Sequence, residues 1–105
     1  MSGSERPSTP GLTAPSLVSP AADARFAPGT NITFDWSDVA GAMSHPIQID
    51  DRIDFPSPLI VNQTIAPSQF STSTLPTLMM WWRVRANNGG VSGPWSAVRR
   101  FEVKN

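Results

Sequence analysis

Apolar and polar residues alternate from Asn31 to Asp38, with Ile32, Phe34 and Trp36 in one register and Thr33, Asp35 and Ser37 in the other. Successive side chains of an extended chain point to opposite faces, so this stretch reads as a strand with one face in a core and one in water. The same period of two recurs in Met80-Trp-Trp-Arg-Val-Arg-Ala86 and in Ser96-Ala-Val-Arg-Arg-Phe-Glu-Val103. Between them lies Asn87-Asn-Gly-Gly-Val-Ser-Gly-Pro94, built from turn-forming residues, so the two strands are expected to form a hairpin. Shorter strand candidates are Ser16-Leu-Val18, Ile47-Gln-Ile-Asp50 after a turn at Val39-Ala-Gly41, the apolar run Leu59-Ile-Val61, and Gln69 to Leu75. No apolar stripe of helical period is long enough to propose a helix. Seven short strands predict an all-β fold, a seven-stranded antiparallel immunoglobulin-like sandwich, in preference to an up-and-down barrel with more even strand spacing.

Composition narrows this picture. A chain of 105 residues, 39% hydrophobic and 15% charged, has the size of one domain with a modest core and lacks the charge excess of a disordered polymer. No run approaches the ~20 apolar residues of a spanning helix, so no membrane partner is expected. Residues 1 to 13, rich in Ser, Pro, Gly and Thr, read as a flexible lead-in to a domain over residues 14 to 105. The opening Met-Ser-Gly-Ser-Glu-Arg lacks the apolar core of a signal peptide. A net charge of zero argues against a nucleic-acid partner held through its phosphates. The absence of cysteine excludes disulfides, thiolate metal sites and a cysteine nucleophile.

Three local features, taken in order, resemble a bacterial-type fibronectin type III domain. They are a strand Trp, Trp36, followed by Val39-Ala-Gly-Ala42; the turn Leu75-Pro-Thr77 before Trp82-Arg-Val-Arg-Ala86; and Gly93-Pro-Trp-Ser96 before Phe101-Glu-Val103. The resemblance implies two sheets, one of strands A, B and E and one of strands C, C′, F and G, with Trp36, Leu75, Val84 and Phe101 in the core. It also implies a non-catalytic role in adhesion, in spacing or in recognition, within an extracellular bacterial parent. Two positions depart from the family pattern. Met80 stands where a corner Tyr is usual, and His45, followed by Pro46, stands where the C strand usually opens with Tyr. A proline has no N–H for a sheet ladder, so Pro46 is expected at an edge, at a bulge or at a shortened start of that strand.

Candidate chemistry is sparse. The single His45 has no second histidine, no cysteine and no nucleophile motif near it, and Asp50 and Asp51 lie roughly 16 to 20 Å along an extended strand. No enzyme is expected, and no motif calls for a cofactor. Asp50, Asp51 and Asp54 have the composition of a calcium loop without the spacing of one, and a solvated turn explains them as well. Gly89-Gly90 opens no helix and so is no phosphate loop. The triplets Asn31-Ile-Thr33 and Asn62-Gln-Thr64 fit a glycosylation acceptor by coincidence of composition.

The arginine and tryptophan pattern says more. If Met80, Trp82, Val84 and Ala86 face inward, then Met79, Trp81, Arg83 and Arg85 face outward. Trp81 and Trp95 are then expected to interleave with Arg83, Arg85 and Arg100 in a stacking ladder. Beside it, Met43, His45, Pro46, Leu78, Met79 and Trp81 are read as one contiguous partner-binding patch at the C and F strand edge, suited to a protein partner or to self-association. A contact through His45 would make that binding pH-dependent. Three readings follow: a scaffold altered by design to bind a protein through this patch, a natural spacer or adhesion module, and a carbohydrate-binding module stacking sugars on Trp81 or Trp95.

Overall fold

The computed structural model describes residues 11–105, so most of the lead-in expected at residues 1 to 13 lies outside the described residues. The strands are β1 (Leu17–Ser19), β2 (Ala24–Phe26), β3 (Ile32–Trp36), β4 (His45–Asp50), β5 (Val61–Ile65), β6 (Gln69–Thr72), β7 (Met79–Val84), β8 (Asn87–Asn88), β9 (Val91–Ser92) and β10 (Arg99–Val103). No helix occurs among the described residues. One sheet has the order β1-β3-β6 and a second the order β2-β10-β7-β4-β5, while β8 and β9 form a small hairpin in the loop after β7. This is the expected seven-stranded sandwich, with its first strand divided between the two sheets. β1 pairs antiparallel with β3, and β2 runs parallel to β10.

The alternation read from the sequence fixes what lies between the sheets. Ile32, Phe34 and Trp36 of β3 meet Met80, Trp82 and Val84 of β7, Ile47 and Ile49 of β4, and Phe101 and Val103 of β10, all buried. Phe34 is the hub. Its ring lies edge-on to Trp82 at 5.0 Å and to Phe101 at 5.3 Å between centroids. Such pairs contribute about 0.5–1.5 kcal/mol beyond the area they remove from water. Trp36, Leu75, Val84 and Phe101, the core set implied by the family resemblance, are all buried, and so is Met80 in the place of the usual Tyr.

Some boundaries differ from the sequence reading. The apolar run Leu59-Ile-Val61 is mostly loop, and the strand is Val61–Ile65. Within β5 only Val61 and Ile65 pack against the core, so the polar Asn-Gln-Thr between them hides the strand. β6 stops at Thr72, and Leu75 is buried beyond its end. β2 was not anticipated, because three residues pairing with a distant strand carry no local period.

Pro46 does not mark an edge, since β4 lies between β5 and β7. In the register that sets Ile47 opposite Val84, Pro46 stands opposite Arg85. The Arg85 N–H donates to the Pro46 carbonyl at 3.1 Å, but Pro46 has no donor to return, and the ladder between β4 and β7 begins only at Ile47.

Arg99 locks the divided first strand. It stands opposite Trp82 in the inward register, and its guanidinium donates to the carbonyls of Leu17, Val18 and Pro20 at 3.0–3.2 Å.

Candidate functional site

Period two along β7 places Met79, Trp81, Arg83 and Arg85 on the outer face of the five-stranded sheet. Arg83 is the centre of this face. Opposite it on β4 is Gln48, whose Oε1 accepts from Arg83 Nε at 2.9 Å and from Nη2 at 2.7 Å. The Arg83 guanidinium carbon lies 4.2 Å from the ring centre of Trp95 and 4.2 Å from that of Phe55, and the Arg85 guanidinium carbon lies 4.5 Å from Trp95. One ring face has no room for two guanidinium planes, so Trp95 gives one face to each arginine. The ladder therefore runs Arg85, Trp95, Arg83, Phe55. Burial, and then the nearby charge of Arg85, lowers the pKa of Arg83 from its ordinary value.

The ladder corrects the sequence reading at three members. Trp81 and Arg100 stand opposite each other in the β7 and β10 register and stack in no cation–π pair among the described residues. Phe55, which no local period marks, comes from the loop after β4 and is buried with a left-handed φ of 51°. The sequence signal that could have found it is a single aromatic, followed by proline, in a loop with no other aromatic residue.

The six residues read as one patch do not come together. His45 is 4% exposed and Pro46 is buried, so neither offers a side chain to a partner. His45 points inward: its ring lies 5.6 Å from that of Trp36, and Nδ1 is 3.1 Å from the carbonyl oxygen of Ala66. Met43, 67% exposed, lies beside Asn87, beyond the end of β7, where its N–H donates to the Asn87 carbonyl. Leu78 and Met79, 40% and 41% exposed, lie at the start of β7. Because β4 and β7 are antiparallel, the start of one meets the end of the other. Met43 and Leu78 are thus separated by about 30 Å at ~3.3 Å per residue. Trp81 lies between them, half-buried, opposite Asp50.

Shallow depressions lie on the surface of the described residues. One of about 110 Å³ is lined by Met79 with two ion pairs, Arg25–Glu102 at 3.3 Å and Arg100–Asp23 at 2.6 Å. Another, of about 300 Å³, is bounded by Asp38, Ala42, His45, Pro67 and Ser68. Ser68 Oγ donates to Asp38, not to His45, so no nucleophile and base are set against each other there. Asp50 sits at the far end of β4 from His45, and Asp54 pairs with Arg52 at 3.8 Å. Among the described residues no group of three or more His, Cys, Asp or Glu side chains is placed to hold a metal ion.

No protein-family model matches the chain, and no curated protein does. Solved structures do. An Fn3-like protein from Clostridium thermocellum superposes with a TM-score of 0.61 at 17% identity, covering 90% of this chain and 92% of that one. The sixth fibronectin type III domain of human fibronectin type III domain containing protein 3 superposes with a TM-score of 0.59 at 14% identity, covering 99% and 92%. With the first strand shared between sheets ordered β1-β3-β6 and β2-β10-β7-β4-β5, the chain has the fibronectin type III fold.

Proposed function

We propose that the chain is a non-catalytic module that spaces the segments joined to its two ends and meets its neighbours through exposed apolar residues at its poles. The observation that carries this reading is the path of the chain. Leu12 comes in at the pole formed by Gly41 and Gly93, its side chain 3.6 Å and 2.9 Å from where a Cβ would stand on each. The chain leaves at the other pole, where the Val103 N–H donates to the Leu78 carbonyl and the Lys104 N–H to that of Phe26. β7 runs the length between them. Copies joined in series would therefore connect pole to pole.

Met43 stands at the first pole, and Leu78 and Met79 stand at the second, each exposed to whatever adjoins it. Binding through one continuous patch, as in a scaffold altered by design, would need Met43 and Leu78 side by side. Their placement at opposite poles favours the spacer reading instead. Carbohydrate stacking loses Trp95, whose two faces are taken by arginines, and retains only the half-buried Trp81.

Small-angle scattering from two copies joined through their own terminal segments tests the spacer reading. A maximum dimension close to twice that of one copy is expected. A compact particle with the two copies side by side would overturn it.

A further inference from the structure

Two sheets have four edge strands, and three of them are closed to further pairing or poorly suited to it. β1 has its carbonyls at Leu17 and Val18 taken by Arg99. β2 is three residues long and carries the charged Arg25 at its centre. β6 would set Phe70 against Ser71 if it met a copy of itself. The fourth edge, β5, has the sequence Val61-Asn-Gln-Thr-Ile65, five residues without a charge or a proline. Sheet edges of this kind are where chains add to one another.

The register shows which backbone groups of β5 have no partner among the described residues. Ser44 and Asn87 exchange both backbone bonds, and the Arg85 N–H donates to Pro46, so even-numbered residues of β4 turn toward β7 and odd-numbered ones toward β5. His45, Ile47 and Ile49 therefore bond to Ile65, Gln63 and Val61. Asn62 and Thr64 turn their N–H and carbonyl groups outward, to the open edge. The sequence is symmetric about Gln63: an apolar β-branched residue at each end, a small polar residue next to it, and an amide at the centre.

We propose that β5 pairs antiparallel with β5 of a second copy of this chain, centred on Gln63, to form a two-fold dimer with one continuous sheet. Asn62 then exchanges backbone bonds with Thr64 of the second copy, and Thr64 with its Asn62. Val61 faces Ile65 of the second copy on the inner side of the sheet, where both already pack against the core, so the two cores meet at the seam. Gln63 faces its own counterpart across the axis, amide to amide. A net charge of zero sets no overall repulsion against association. Five residues make a seam smaller than the ~1,200 Å² of stable interfaces, so the dimer is weak and concentration-dependent.

Sedimentation equilibrium with charge-swapped variants tests the dimer. Gln63 is exposed, so Gln63→Glu and Gln63→Lys are expected to keep the melting temperature of the parent. The parent chain is expected to dimerise below about 1 mM. Each variant alone sets like charges on the axis and is expected to remain monomeric. An equal mixture of the two is expected to dimerise at least as tightly as the parent. Monomeric behaviour of the parent throughout, including a parent that accepts a foreign extended peptide at this edge instead, overturns the proposal. So does parent-like dimerisation of both single variants, which would place the contact at another surface such as the poles.

Discussion

The indole of Trp95 lies between Arg83 and Arg85, with guanidinium carbons 4.2 Å and 4.5 Å from its ring centre. Arg83 continues the stack to Phe55, so one arginine ties the segment before β10 to the loop after β4 across the outer face of β7. Phe55 holds a left-handed backbone that disfavours a bulky side chain by about 1–2 kcal/mol, and its place over Arg83 offsets that strain.

Trp95→Ala should therefore lower stability by about 1–3 kcal/mol, since it removes two cation–π contacts together. Arg83→Lys should have a smaller effect, losing the forked bond to Gln48 while keeping a charge. Urea unfolding of both variants checks this. A Trp95→Ala variant with the midpoint of the parent would show that the ladder orders the surface without stabilising it.

Trp36→Ala belongs to another class. Trp36 is 2% exposed and sits between Trp82 and His45 at the end of the core. The substitution should cost about 3–5 kcal/mol and leave little folded protein. Thermal melts will rank it: a melting temperature within a few degrees of the parent contradicts the inward register of β3.

The sandwich was legible where one face is buried and the other wet. Ile32-Thr-Phe-Asp-Trp36 and Met80 to Val84 announce both their strand character and their inward faces. It was not legible where neither condition holds. β5 packs only its end residues, β2 gains its structure from a partner far along the chain, and Phe55 meets Arg83, 28 residues away, in a loop without a period. The candidate patch failed for a geometric reason. Composition groups Met43 with Leu78 and Met79, but antiparallel pairing of β4 and β7 sends them to opposite poles, a consequence that the assigned topology already contained.

Leu12 offers a test of where the folded unit starts. An added Cβ on Gly93 would meet the Leu12 Cβ at 2.9 Å, too close for both to stay in place. Gly93→Ala should lower the melting temperature of the full chain, and removal of residues 1 to 12 should reduce that difference, because the two changes act on one contact. If the penalty is the same in the shortened chain, it comes from the neighbouring Ala86 carbonyl and Leu12 contributes nothing.

Leu78 and Met79 should separate stability from association. Both side chains are exposed, and the bond that the Leu78 carbonyl accepts from Val103 belongs to the backbone and survives any side-chain change. Leu78→Ser with Met79→Ser should thus shift stability by no more than about 1 kcal/mol. His45→Ala, by contrast, removes the edge contact to Trp36 and the bond to Ala66 from a buried site, and should cost about 1–3 kcal/mol. In two copies joined in series, the Leu78 and Met79 double variant should tumble more independently by NMR relaxation, because the apolar contact at that pole is gone. Unfolding of the double variant would place these residues in the core and remove them from any joint. An intact fold with unchanged tumbling would leave the poles as passive ends, and the spacing would then rest on the terminal segments alone.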